Sequence, residues 1–384
     1  MGLRLLFTST PGIGHIHPLV PIAAECVRQG HLVRWAVAPD AVERVRSYGF
    51  DAVPAGATLA DRGAAFRSSV DLRGVDMSTA RPVFFKGLFA DIAAPAMREQ
   101  LVSVVDEFRP DVMVHELCEL ATPPVASARG IPYVTVAFSG EASPAMMDTA
   151  RESVGRLWEA EGLQADPYFG WFQHLYLHPW PDALGGRPAH AEVVSTWHMG
   201  FDGATGDAPD WTGSLGRDRP LVYVTFGTEM GPMAPWPALL GALGRLDADA
   251  LVTTGVGLDL SAHGEVPANV RVEQYVPQRY VLGPSSLAVS HGGAGTLAAA
   301  MAISLPQVVI PLGADQFDNA RAGEAAGIAV AVSPADRSAD ALEDAMKRGL
   351  DDLLLRARCV EVSAAVSAMP KAEEIVARIA ALAG

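Results

Sequence analysis

The densest chemistry in the chain lies in Ser290–Asn319, SHGGAGTLAAAMAISLPQVVIPLGADQFDN. A short apolar strand, Leu287 to Val289, leads into His291, Gly292, Gly293, Ala294, Gly295 and Thr296, and an alanine-rich helix follows. Glycines admit a ligand close to the backbone, and the first free amides of a helix, aided by its dipole, point at negative oxygens. The stretch reads as an anion cradle. After the next apolar run, Gln307 to Leu312, comes a polar cluster of Asp315, Gln316, Asp318 and Asn319, where an open parallel sheet binds its ligand at a strand's carboxyl end. A second reactive stretch is Thr10–Pro18, TPGIGHIHP, behind the first strand. Gly12 and Gly14 permit a tight turn, which leaves His15 at the sheet edge, where an imidazole can take a proton from an attacking hydroxyl. His17 lies at a helix start, open to capping or acceptor contact, although a lone loop histidine is more often a satisfied surface group. Asp111–Leu120, DVMVHELCEL, ends another strand in carboxylates. A carboxylate holds the tautomer of a base histidine and stabilises the charge it acquires. Glu116 and Glu119 are both available, and Glu116 is preferred because it stands at the strand's end, with His115 on the opposite side.

Strands and helices must alternate to present these groups. Leu3 to Ser9 reads as the first strand, and a helix begins at Pro18 and runs to about Arg28, where Gly30 stops it. His31 to Ala38 and Phe50 to Pro54 continue the series. Ala55 to Pro82 shows little periodicity and reads as a long loop. Val83 to Phe108 reads as one helix, with Phe84, Phe85, Leu88, Phe89 and Ile92 at helical spacing. Strand Ile131 to Phe138 precedes a largely helical Ser139 to Gly162, which holds Met146, Met147 and Trp158, and then an aromatic-rich Tyr168 to Trp180. These large side chains suit either a core or a pocket for a flat, greasy ligand. Glycines and prolines between Val194 and Arg219 break every period, and a new strand-helix series opens with Leu221 to Phe226 and the turn Gly227, Thr228, Glu229. Two helical stretches close the chain, with Pro370 interrupting the second.

With 384 residues, the chain is too long for one ordinary core and suits two domains. A net charge of −15 argues against nucleic-acid or acidic-lipid partners. It also means that any phosphate site must be built locally from amides and helix ends. Cys26, Cys118 and Cys359 read as reduced thiols, and no export signal or membrane span is visible, so a cytoplasmic protein is expected. Asp247-Ala248-Asp249 reads as a solvated cap and no clustered ligand spacing is present, so no metal is expected.

The His-Gly-Gly-Ala-Gly-Thr run, the apolar strand ending in Pro, and Ala-Asp-Gln-Phe-Asp-Asn together resemble the donor signature of the GT-B-fold family 1 glycosyltransferases, closest to the bacterial branch that decorates antibiotics with deoxysugars. The resemblance implies an α/β chain of two Rossmann-like, doubly wound parallel-sheet domains facing across a cleft. Residues 1–200 would bind the acceptor, 201–219 link, 220–368 bind the nucleotide-sugar, and 369–384 cross back to the first domain. It makes His15 the general base, with Glu116 at a position where the family commonly has Asp. It assigns the donor to Gly14, Thr228, Val276, Gln278, His291, Gly292, Gly293, Gly295, Thr296, Asp315, Gln316 and Asn319. The nucleobase would be held by the backbone of the Val-Pro-Gln turn, beside Tyr275 where many relatives have Trp. One wall of the acceptor pocket would include His17, Phe84, Phe85 and Met146. The implied reaction is inverting and metal-independent, with a dTDP-sugar or UDP-sugar as co-substrate, a small natural product as acceptor, and no other cofactor. A homodimer is left open. Two rival readings are a sugar-nucleotide 2-epimerase on the same fold and a non-catalytic nucleotide-sugar-binding helper.

Overall fold

The computed structural model describes residues 2–71, 73, 75–140, 143–190, 192–195, 208–227, 230–255 and 257–384. They fall in two compact units, one within Met1–Trp180, Gly186–Phe201 and Met369–Gly384, the other within Pro181–Gly185 and Asp202–Ala368. Part of the expected linker, 201–207, lies outside the described residues.

The first unit is built on seven parallel strands: β1 Arg4–Thr8, β2 Leu32–Val37, β3 Asp51–Pro54, β4 Val112–Glu116, β5 Tyr133–Val136, β6 Leu175–His178 and β7 Val193–Ser195. Their order is β3-β2-β1-β4-β5-β6-β7. Side chains alternate across a strand, so a sheet covered on both faces needs continuous apolar runs. Leu5 and Phe7 of β1 enter one core with Ile22, Cys26 and Ile375, Val376 and Ile379 of the last helix. Leu6 enters the core on the other face with Met97, Leu101 and Val105. The last helix, Ala372–Ala381, therefore belongs to the first unit, where it packs on Val20–Arg28.

The second unit repeats the plan with six parallel strands: β8 Leu221–Thr225, β9 Asp249–Thr253, β10 Val270–Glu273, β11 Leu287–Ser290, β12 Gln307–Val309 and β13 Ala329–Ala331. Their order is β10-β9-β8-β11-β12-β13. In each sheet the chain starts in the middle, builds outward one way, and returns to build the other way. The reversal falls between β1 and β4 in one unit and between β8 and β11 in the other, and such a crevice at the strands' carboxyl ends is where ligands bind.

Three expectations need correction. The stretch read as a loop contains a helix, Leu59–Ser69, capped by the Thr58 hydroxyl, which accepts the Asp61 N–H at 3.1 Å. Its apolar anchor, Phe66, stacks on Phe84, and one anchor makes no periodic stripe. The expected single helix Val83–Phe108 is three segments: α-helical Arg81–Phe84, π-helical Phe85–Ala93 and α-helical Ala94–Phe108. Pro95 has no N–H to close an α-turn on the Asp91 carbonyl, and the wide turn precedes it. Finally, the helix after β1 begins at Ile13 rather than Pro18, so His15 sits within its first turn.

Candidate active site

In the first unit Thr8 of β1 pairs with His115 of β4, which brings Glu116 level with the residues just beyond β1. Glu116 is fully buried. Its Oε1 accepts the Thr10 N–H at 3.2 Å and the Thr10 hydroxyl at 3.0 Å, and Oε2 accepts the Cys118 N–H at 2.5 Å. His15 Nδ1 lies 3.2 Å from Oε1. Burial pushes the Glu116 pKa up, but the charge and hydrogen-bonding of His15 and the Cys118 and Thr10 amides outweigh it, so the carboxyl titrates below its usual range. A buried carboxylate is therefore held ionised beside an imidazole that is 17% exposed.

The His15 ring is fixed from three sides. Phe138 meets it edge-on with centroids 4.7 Å apart, and Phe89 lies tilted at 5.3 Å. Gly12 adopts ordinary extended backbone (φ −64°), yet a Cβ there would come within 2.9 Å of His15 Cδ2. Gly12 thus serves ring clearance rather than turn geometry, whereas Gly14 faces open space. Phe89 and Phe138 were not singled out as site residues from sequence. Phe89 lies in the π-helical segment and Phe138 just past β5, and the helical spacing noted for Phe89 does not tell which residue it meets.

Glu119 does not face His15. Its carboxyl accepts the Thr8 hydroxyl at 2.8 Å, the Ala121 N–H at 2.9 Å and the Thr122 N–H at 3.2 Å. Burial outweighs these partners and raises its pKa. His115 is fully buried on the face opposite Glu116, with Nδ1 donating to the Glu119 carbonyl at 2.8 Å and the Thr135 hydroxyl 2.8 Å from Nε2. Burial depresses its pKa to about 4, so it stays neutral.

The expected acceptor wall is mostly core. Phe85 and Met146 are each 2% exposed and pack in a cluster with Trp158 and Trp171. Phe84 stacks on Phe66, and His17 Nε2 lies 3.0 Å from the Tyr48 hydroxyl. A narrow recess at the carboxyl edge of this sheet is lined instead by small groups, among them Thr10, Ala38, Ala55, Ala94 and Cys118.

In the second unit Ser290 of β11 pairs with Thr225 of β8, which places His291 beside Gly227. Two glycines make room for this imidazole. A Cβ on Gly293 would come within 2.6 Å of His291 Nε2 and one on Gly227 within 3.3 Å of Cε1, while Gly292 (φ 81°) already lies against Val309. Burial depresses the His291 pKa to about 4, and the Asp315 charge and the Thr225 carbonyl oppose that only in part. A neutral imidazole therefore stands beside the helix Ala294–Ala302, whose N-cap Gly293 supplies no side-chain cap and leaves the first amides open. Gly295 and the buried Thr296 lie in that first turn.

Asn319 ties the two halves of the motif together. Its Nδ2 donates to the Gly292 carbonyl at 2.9 Å and to Asp315 Oδ2 at 3.0 Å. Gln316 was expected to reach a sugar, but it is 3% exposed and its Oε1 accepts the Leu312 and Gly313 amides at 2.8 and 3.0 Å. That oxygen shapes the loop. Gln278 Nε2 donates to Thr296 Oγ1 at 3.1 Å, and Val276 is a core residue whose backbone alone can serve a ligand. Tyr275 beside it is 54% exposed. Thr228 lies outside the described residues. Asp247 and Asp249 pair with Arg219 at 2.8 and 3.2 Å. No described helix is long and apolar enough to cross a membrane.

Residues 237–382 match the erythromycin biosynthesis protein CIII-like C-terminal domain family. The chain is 30% identical over 334 residues to L-demethylnoviosyl transferase of Streptomyces niveus, covering 85% of this chain and 84% of that one. The glycosyltransferase SnogD of Streptomyces nogalater superposes over the whole of both chains with a TM-score of 0.79 at 27% identity. Glycosyltransferase VinC, solved in complex with dTDP, superposes with a TM-score of 0.83 at 23% identity over 99% of each chain. Two parallel Rossmann-like sheets, an open helix start behind His291, and relatives that are transferases by name lead to one conclusion: the chain belongs to the GT-B glycosyltransferases of antibiotic biosynthesis and is itself a glycosyltransferase.

Proposed function

We propose that the enzyme moves a deoxysugar from a dTDP-sugar onto a hydroxyl of a small natural product, inverting the anomeric centre in one displacement. The observation that carries this reading is the contact of His15 with a buried, ionised Glu116. Neutral His15 removes the acceptor proton, and Glu116 fixes the ring and stabilises the imidazolium that forms. The departing nucleoside diphosphate gathers charge on its oxygens, and the open amides at Gly293–Thr296 are the donors suited to it. Neutral His291 adds an uncharged partner there. Those amides do the work a bridging metal would otherwise do, so the reaction runs without one. Asp315 holds sugar hydroxyls and so positions the anomeric carbon. The dTDP bound to VinC supports thymidine as the donor base.

The test is consumption of dTDP-sugars by the wild type and by His15→Ala, with dTDP, UDP and GDP compared by thermal shift. Loss of about 10²–10⁴-fold in kcat with dTDP binding retained is expected. Unchanged turnover in His15→Ala, or a preference for GDP, would overturn the reading.

A further inference from the structure

Cys118 is a buried thiol that the transfer reaction does not use, and it stands beside the two residues that the reaction does use. Ligand atoms of His15, Glu116 and Cys118 all lie within 4.8 Å of one another. In a tetrahedral zinc site, with bonds of about 2.0–2.3 Å, such atoms sit roughly 3.3–3.7 Å apart, so side-chain shifts of about 1 Å close the triangle. The His15 nitrogen that serves is the one turned toward Glu116. Nδ1 is buried and faces Glu116 Oε1 at 3.2 Å, so two of the three ligand atoms already converge. The carboxylate is already oriented from outside the triangle by Thr10 and by the Cys118 amide, as metal-binding carboxylates are. His15, 17% exposed, gives the ion a way in and leaves a fourth position for water.

We propose that His15, Glu116 and Cys118 form a site for one soft or borderline divalent cation such as Zn²⁺, and that its binding silences the enzyme. The donor set decides the class of ion: one thiolate, one imidazole and one carboxylate suit Zn²⁺, whereas Mg²⁺ and Ca²⁺ need six or more oxygens. Occupation takes Glu116 away from the imidazole and puts a cation on Nδ1, which lowers the basicity of the other ring nitrogen, the one that takes the acceptor proton. The silencing rests on the base reading proposed above; the site itself does not.

The test is titration of the metal-free full chain with Zn²⁺ alone, followed by calorimetry, and with Co²⁺, followed by its thiolate charge-transfer band. Wild type, Cys118→Ala and Cys118→Ser are compared, each against its own metal-free transfer rate and melting temperature. One ion per chain, a thiolate–cobalt band, inhibition in step with occupancy, and affinity weakened by more than about 100-fold in Cys118→Ala support the proposal. The serine variant carries the comparison if the alanine variant does not fold. Absence of binding, or equal affinity and equal inhibition in all three proteins, overturns it. If Zn²⁺ binds through Cys118 and the occupied enzyme still turns over at full rate, the metal site stands and the His15 base assignment falls.

Discussion

Glu116 Oε1 lies 3.2 Å from His15 Nδ1, and the same oxygen accepts both the amide and the hydroxyl of Thr10. The carboxylate is held by the turn after β1 and presented by β4, so the charge beside the imidazole is fixed before any ligand arrives. Electrostatic help of this kind costs no reorganisation at the moment of reaction. Glu116→Gln keeps the shape and removes the charge. Its kcat should fall by about 10²-fold or more, within the range for general-base catalysis. Glu119→Gln disturbs the Thr8 and Thr122 contacts instead, and should lower the melting temperature while leaving most of kcat. Steady-state kinetics and thermal melts on both variants separate the roles, and a larger kcat loss in Glu119→Gln would reverse the assignment.

Gly12→Ala tests ring placement without touching a reactive atom. The backbone at φ −64° accepts alanine, so any cost in stability comes from the displaced ring and not from the main chain. The new Cβ, however, would stand 2.9 Å from His15 Cδ2, and the imidazole must swing aside. A misplacement near 1 Å can cost on the order of 10²-fold, so kcat should fall at least about 10-fold at temperatures where the variant is fully folded. Gly14→Ala, which faces open space, is the control.

Much of this frame is legible from residue types. Apolar runs mark β1, β4, β8 and β11, and the strand-turn-helix order at Thr10–Pro18 and Ser290–Thr296 lies at one side of each reversal of the sheets. Strand alternation separates Glu116 from His115 before any coordinates. What stays hidden depends on distance between segments. The role of Gly12 cannot be read from a glycine in an ordinary extended conformation. The recess beside Thr10 draws its alanines, Ala38, Ala55 and Ala94 among them, from separate segments, and an alanine gives no signal by itself. Gln316 has the right chemistry for a sugar, but its carbonyl oxygen is engaged by the loop that precedes it. The triangle with Cys118 joins residues that only the β1–β4 pairing brings together.

Asn319→Ala should affect the donor alone. Its amide bridges the Gly292 carbonyl and the Asp315 carboxylate, and Asn319 is 1% exposed. Removing it leaves buried acceptors unpaired, at a cost of about 1–3 kcal/mol, and frees the turn after β11. KM for the dTDP-sugar should rise while KM for the acceptor stays near its wild-type value. An effect confined to acceptor KM would place Asn319 outside the donor site.

Two buried histidines have a pKa depressed to about 4, His115 in the first unit and His291 in the second. An unfolded histidine titrates near 6.5. Between pH 6.5 and 4 the unfolded chain therefore binds protons that the folded chain refuses, and stability falls as pH drops through that window. Above 6.5 neither state is protonated and the contribution is flat; below 4 both are, and the loss levels off. Each histidine can account for up to about 3 kcal/mol of acid destabilisation. His291→Gln cannot protonate, so its unfolding free energy should lose less than that of the wild type between pH 7 and pH 4.5, with the difference confined to the second unit. Urea unfolding at the two pH values, followed by a probe in each unit, measures this double difference. Equal losses in the two proteins would mean that His291 takes up its proton in the folded state, and the uncharged imidazole assigned to the cradle would have to be abandoned.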